Sequence, residues 1–262
     1  MIKIYRIMEV IAVIGMKGGC GKTTTSILLA STLAYKKKKK VAVLDCDTLQ
    51  QSFTKYRIKD VEDITPFTSV VDGQEVRMVR DSALYKAFKE QNIRPYEIVK
   101  CHEDIDMIID LLTKKDAEGC DYAILDLPGS IDNPDYFKIV SLCSVVFIPF
   151  IADDIDFASN FDFAKHTYAK IFAPGVDCNL KKMFGFWNRY DASCRPASFK
   201  NYCSRIAEEL PDLEILDNKI EFTKAIGNDK CRSTILPPFP QFGKYGNIDN
   251  TIEEMCQKIF SI

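Results

Sequence analysis

The sequence has no apolar run long enough to cross a bilayer. Its longest, IVSLCSVVFIPFI at 139–151, falls short of the roughly 20 residues that a spanning helix needs, and its proline belongs to a strand pattern. The opening MIKIYRIM, with Lys3 and Arg6, is not expected to act as a signal peptide, and none of the 10 cysteines forms a C-x-x-C pair. Reduced thiols in a cytoplasmic protein are therefore expected in place of a disulfide framework. Excess charge of either sign is also missing: 35 Lys+Arg stand against 37 Asp+Glu, a net charge of −2. That balance excludes the basic composition, with a pI above about 9, that marks a dedicated polyanion binder. Nucleic-acid contact has to come from a local patch. Histidine is nearly absent, and His102 and His166 lack metal-ligand spacing, so structural or surface roles are expected for both. No repeat or low-complexity linker divides the chain, and residues 1–262 are read as a single domain.

What is present is a series of aliphatic runs: VIAVI (10–14), VAVLD (41–45), YAILDL (122–127), SVVFIPF (144–150) and KMFGFW (182–187). Continuous runs of this kind suit strands covered on both faces. The segments between them are long enough for helices, expected at 22–36, 103–115, 134–142, 155–171, 198–209 and 248–260. The fold class predicted is therefore α/β, a doubly wound, mostly parallel sheet flanked by helices. MIKIYRIM (1–8) is read as a lead-in or edge strand. Between about 52 and 100 the pattern is weak, and the most irregular structure is expected there. Lys36–Lys40 end a helix, where cations favour its negative terminus and aid solubility.

Residues 15–23, GMKGGCGKT, place four glycines and two lysines directly after the first strand. In a strand–loop–helix setting, glycines let successive backbone N–H groups turn inward around phosphate oxygens, and the helix N-terminus adds positive partial charge. Gly18, Gly19, Cys20 and Gly21 form this cradle. Lys22 reaches the β- and γ-phosphates, Thr23 places its hydroxyl on Mg²⁺, and Thr24 touches the α-phosphate. Cys20 fills a variable position and need not be reactive.

Two carboxylate stations follow. VAVLDCDTLQQS ends a strand with Asp45 and Asp47, which share a side if the strand continues. DYAILDLPGS brings Asp126 to a strand's C-terminal end, where open α/β sheets bind ligands.

The common phosphate-loop pattern requires glycine at 16, where this chain has Met16. Its K-G-G-x-G-K-T-T, beginning at Lys17, instead resembles the deviant Walker A box of the ParA/MinD family of ATPases. The resemblance spans nearly the entire chain and rests on residues 17–24, 45–47 and 126–129. It implies that Lys17 crosses a dimer interface to the partner's nucleotide, that Asp45 orders a Mg²⁺-bound water, and that Asp47 positions or polarises the attacking water. It further implies that Asp126 holds Mg²⁺ through water and that Gly129 offers its N–H to the γ-phosphate. Asn188 matches the place where relatives hydrogen-bond adenine, which suits an amide that both donates and accepts. After Asp47 the chain departs from the family's D-x-D-P-Q, with Thr48 in place of proline and Gln50 one position late. Segments 220–240 and 252–260 resemble the family's closing elements.

The function implied is a ParA-like partition ATPase that uses ATP and Mg²⁺ and forms a homodimer on binding ATP. Expected partners are nonspecific DNA and a ParB-type centromere-binding protein, with nucleoid association if DNA is bound. Lys181, Lys182, Arg189, Arg195, Lys200 and Arg205 are candidates for a DNA surface, though neighbouring acids nearly balance them. A MinD-like membrane-cycling positioner would need a basic amphipathic C-terminal helix. Here Asp249, Glu253 and Glu254 surround Ile248, Ile252, Met255 and Ile259, which suits packing better than anionic lipid. A dethiobiotin synthetase-like ligase is a third alternative, against which Lys17 argues.

Overall fold

The computed structural model describes residues 8–80, 82–129, 135–173, 175, 177–191, 196–222, 232–238 and 246–262. Its central sheet comprises β1 (Glu9–Val13), β2 (Val41–Asp45), β5 (Glu97–Lys100), β6 (Tyr122–Asp126), β7 (Val145–Phe150), β8 (Lys182–Tyr190) and β9 (Glu214–Glu221). The order is β5-β2-β6-β1-β7-β8-β9, and each neighbouring pair is parallel. A separate antiparallel hairpin joins β3 (Phe67–Val71) to β4 (Gln74–Met78). The helices are α1 (Lys22–Ser31), continued by a π-helical turn over Thr32–Lys36, α2 (Ser52–Ile64), α3 (Ser82–Gln91), α4 (Ile105–Ala117), α5 (Tyr136–Ser141), α6 (Asp154–Ile171), α7 (Pro196–Glu209) and α8 (Gly246–Phe260).

The aliphatic runs fold as doubly covered strands because their alternate residues feed different cores. Val10 and Ala12 join one buried cluster with Ala42, Leu44, Ala123 and Leu125. Ile11 and Val13 join the other with Val41, Val43, Tyr122 and Ile124. Residues of α4 to α7 close the first face, and α1 and α8 close the second. On the first face Phe157 is buried against Tyr202 at 4.4 Å, Phe161 at 5.2 Å and Trp187 at 6.1 Å, a cluster that fixes the first turn of α6. Truncating such a ring costs about 3–5 kcal/mol.

Ile248, Ile252, Met255 and Ile259 of α8 are all buried. The helix is thus a wall of the core, as its charge pattern predicts. The lysine run is anchored to it: Lys36 pairs with Asp249, Lys37 with Glu253, and Lys39 lies 5.9 Å from the Phe260 ring centroid.

Segment 52–100 requires a correction. It carries α2, the hairpin, α3 and the edge strand β5 instead of irregular chain. Helix α2 lacks an apolar stripe, with Phe53 its one buried residue. Polar contacts hold it: Arg57 donates to the carbonyls of Tyr96 and Thr234 at 2.8 Å each, and Asp60 accepts from the Thr234 N–H at 2.6 Å. Hydrophobic periodicity cannot register such an attachment. Strand β9 also lies outside the predicted runs, with Ile215 (half-buried) and Leu216 and Ile220 (buried) set among Glu214, Asp217, Lys219 and Glu221. Residues 1–7, Arg195 and most of the closing segment 220–240 lie outside the described residues.

Candidate nucleotide site

Strand β1 delivers the chain to residues 14–21, which turn through Gly21 at φ 96° into α1. That left-handed conformation favours glycine, and a Cβ there would lie 2.2 Å from Asn188 Nδ2. No side chain caps the start of α1, so its first N–H groups face the loop's concavity and favour an anion.

Lys22 is buried, and its Nζ donates to the Lys17 carbonyl at 3.2 Å. Across from it, the loop after β6 brings Gly129 so close that a Cβ would lie 2.9 Å from Lys22 Nζ and 2.9 Å from the Met16 carbonyl. Met16, Gly18, Gly19 and residues 21–24 of the loop and residues 127–129, with Asp47, Leu49, Tyr56 and Arg232, line a cavity of about 470 Å³, a size that holds a small organic ligand.

The carboxylates meet behind Thr23, which lines this cavity, because β2 and β6 are neighbours in register, Asp45 opposite Asp126. Both are buried. Thr23 Oγ1 donates to Asp126 Oδ2 at 3.0 Å. Asp45 Oδ2 accepts from the Thr54 N–H at 2.9 Å and its hydroxyl at 2.6 Å. The second oxygen of each carboxylate, Oδ1, is buried without a hydrogen-bond partner among the described residues. Burial, with a further contribution from nearby Asp45, pushes the Asp126 pKa up to about 7, although the Thr23 hydroxyl opposes the shift. Two buried acids with two free oxygens are a poor arrangement for a protein alone and a suitable one for a cation. No cluster of three or more His, Cys, Asp or Glu among the described residues would hold a metal without help. A cation here would therefore share its shell with ligand oxygens and water.

Asp47 does not continue the strand, which ends at Asp45. It lies on the cavity wall, and its carboxylate accepts from the Gln50 N–H at 2.8 Å. The Thr24 hydroxyl also reaches the cavity and accepts from Arg232 Nη1 at 2.7 Å. Lys17, at the exposed outer side of the loop, is ion-paired with Asp156 of α6. Burial pushes the Cys20 thiol up, which opposes a nucleophilic role. Asn188 is buried behind the loop against Gly21 and does not itself line the cavity. Its Nδ2 donates to the Cys20 carbonyl at 2.6 Å and its Oδ1 accepts from the Arg189 N–H at 2.9 Å.

Sequence reasoning missed Thr54, Tyr56, Asp156 and Arg232. The Arg232 guanidinium lies 3.7 Å from the Tyr56 ring centroid and donates to its hydroxyl, forming one cavity wall. These two residues stand 176 positions apart, and no spacing rule joins them. Of the basic residues considered for DNA, Lys181 pairs with Glu9 and Arg205 with Glu209, while Arg189 lies over Phe222.

The family described as the CobQ/CobB/MinD/ParA nucleotide-binding domain matches residues 11–234. A search of curated protein sequences finds no match. Among solved structures, an ATP complex of a McdA variant from Cyanothece is similar at TM-score 0.62 and 16% identity, covering 97% of both chains. A plasmid partition protein from Borrelia burgdorferi B31 bound to AMPPNP has TM-score 0.56 and 21% identity, over 96% of this chain and 99% of its own. The pNOB8 ParA bound to nonspecific DNA has TM-score 0.53 and 17% identity, over 97% and 99%. These likenesses concern the fold.

Proposed function

The chain belongs to the CobQ/CobB/MinD/ParA nucleotide-binding family, and from that membership we propose a ParA-like ATPase that hydrolyses ATP to ADP and phosphate in a nucleotide-sandwich dimer. The observation that carries this reading is the junction of the phosphate loop with the paired carboxylates: Thr23 bonded to Asp126, beside two buried, unpartnered Oδ1 atoms. The AMPPNP and ATP complexes of the Borrelia and Cyanothece proteins support ATP as the ligand.

On this reading the backbone N–H groups of residues 18–21 and the N-terminus of α1 hold the phosphates, and Lys22 places its charge between the terminal two. Thr23, Asp45 and Asp126 would hold Mg²⁺. The ion would neutralise charge that builds on the phosphate oxygens as the terminal group departs. Asp47, on the cavity wall, orients the attacking water, and the Gly129 N–H points to the γ-phosphate. Lys17 then completes the partner's site. Met16 and Leu49 at the cavity and Ile155, next to Asp156, are exposed apolar residues, as a surface that seats a second subunit requires.

Formation of the dimer is the output, a population shift that duplex DNA and a ParB-type protein would read. The DNA complex of pNOB8 ParA supports the duplex arm. A membrane-cycling role would use the apolar face of α8, which is instead packed into the core.

Dimerisation, phosphate release and duplex retention are measured with ATP, with ADP and without nucleotide for wild type, Lys17→Ala and Asp47→Ala. Asp47→Ala should accumulate an ATP-loaded dimer that does not turn over, and Lys17→Ala should show no ATP-dependent gain in dimer. Nucleotide-independent monomers throughout would overturn the reading.

A further inference from the structure

The β3–β4 hairpin stands apart from the central sheet. Its loop, Asp72-Gly73, has φ 51° and 78°, the signature of a two-residue type I′ turn. The flanking pair Val71 and Gln74 therefore exchange backbone hydrogen bonds, as do Ser69 with Val76 and Phe67 with Met78, which follow at steps of two in the register. The N–H and C=O groups of Glu75 and Arg77 then point outward from β4. Among the described residues nothing pairs with that edge, and all five residues of β4 are exposed.

The hairpin is amphipathic. One face carries Phe67, Val71, Val76 and Met78, exposed by 41%, 46%, 40% and 42%, with Ser69 and Gln74; the other carries Glu75 and Arg77 with Thr68 and the exposed Val70. An isolated two-stranded ribbon is marginal in water and an apolar open edge invites pairing. Natural edges are guarded by like or unmatched charges, but here the two guards have opposite signs and stand two residues apart.

We propose that β4 pairs antiparallel with β4 of a second copy of this chain, about a two-fold axis through Val76, without nucleotide. In that register Glu75 of each copy faces Arg77 of the other, and these are the positions whose backbone groups point outward. Val76 meets Val76 on the apolar face. A slip of two residues in either direction sets Glu75 against Glu75 or Arg77 against Arg77, and a slip of one turns the apolar face over. The charges thus select one isologous pairing into a four-stranded sheet. The outer edge of β3, Phe67–Val71, has no charges and specifies no register.

Helix α2 carries the chain from the Asp47 loop to the hairpin through 13 residues, about 20 Å. The root of the hairpin therefore stands about 20 Å along α2 from the Asp47 loop, and the β4 contact uses no residue of the phosphate loop. Copies joined through both contacts would form open chains.

Sedimentation of nucleotide-free protein over a concentration series tests the pairing, with nucleotide binding and Tm as controls for folding. Wild type should dimerise reversibly. Glu75→Arg and Arg77→Glu alone should each weaken association at least about tenfold, since each turns two attractive cross-strand pairs into repulsive ones. Mixing the two single variants should restore a heterodimer, and the double variant should restore the homodimer. A wild type that stays monomeric, single variants that associate as wild type does, or a mixture that fails to associate would overturn the proposal, whatever the outcome with ATP.

Discussion

Lys17, on the outer side of the phosphate loop, is ion-paired with Asp156, in the first turn of α6. The lysine that would serve a partner's nucleotide is held in this subunit by its own chain. Releasing it opposes dimerisation by the worth of a half-exposed pair, about 1 kcal/mol or less. Asp156→Asn should therefore lower the ATP concentration at half-maximal dimerisation, by about fivefold at most. Light scattering against ATP concentration measures it. An unchanged midpoint would show that the pair does not restrain Lys17.

Asp126 links the site to the stability of the fold. Its pKa of about 7 lies above the roughly 3.9 of an unfolded aspartate, so between these values the fold retains a proton that the unfolded chain has lost. That contribution is complete below about pH 4, declines as pH rises, and is gone above about pH 7. In nucleotide-free protein Asp126→Asn should raise Tm at pH 8, and the gain should shrink toward pH 5. Calorimetry at the two pH values decides this, and a gain that grows on acidification would reverse the assignment.

Arg232 couples two parts of the cavity wall, bonding to the Thr24 hydroxyl and lying on the Tyr56 ring. A guanidinium beside the hydroxyl expected at the α-phosphate is placed to meet phosphate charge itself. Arg232→Ala should weaken nucleotide binding about tenfold, the loss of one charge-assisted contact, with ADP and ATP affected alike. Titration calorimetry with both nucleotides checks the magnitude and the equality.

The legible part of this protein is the part where one short segment carries the constraint. Phosphate oxygens need close backbone approach, so Gly21 and Gly129 show themselves, and aliphatic runs ending in aspartate place Asp45 and Asp126 on neighbouring strands. The Thr23–Asp126 contact spans 103 residues and is still readable, because both ends bear their own motif. Asp156 and Arg232 carry none. Their roles arise where α6 and segment 232–238 fold back onto the loop, and only packing reveals that. Helix α2 is hidden for a related reason, since polar bonds to Thr234 and Tyr96 hold it in place of an apolar stripe.

Asn188 separates two accounts of one residue. By sequence it matches an adenine contact, while its amide here bridges the Cys20 carbonyl and the Arg189 N–H beneath Gly21. If it braces the loop, Asn188→Ala leaves the Cys20 carbonyl without its buried donor, at about 1–3 kcal/mol. ATP and GTP should then lose affinity by the same factor, because the phosphates are common to both. If it reads the base, ATP alone should weaken and the preference over GTP should collapse. The bonds in the structure favour the first outcome. Competition binding of the two triphosphates to Asn188→Ala and wild type distinguishes them, since a bracing residue changes both constants and leaves their ratio intact.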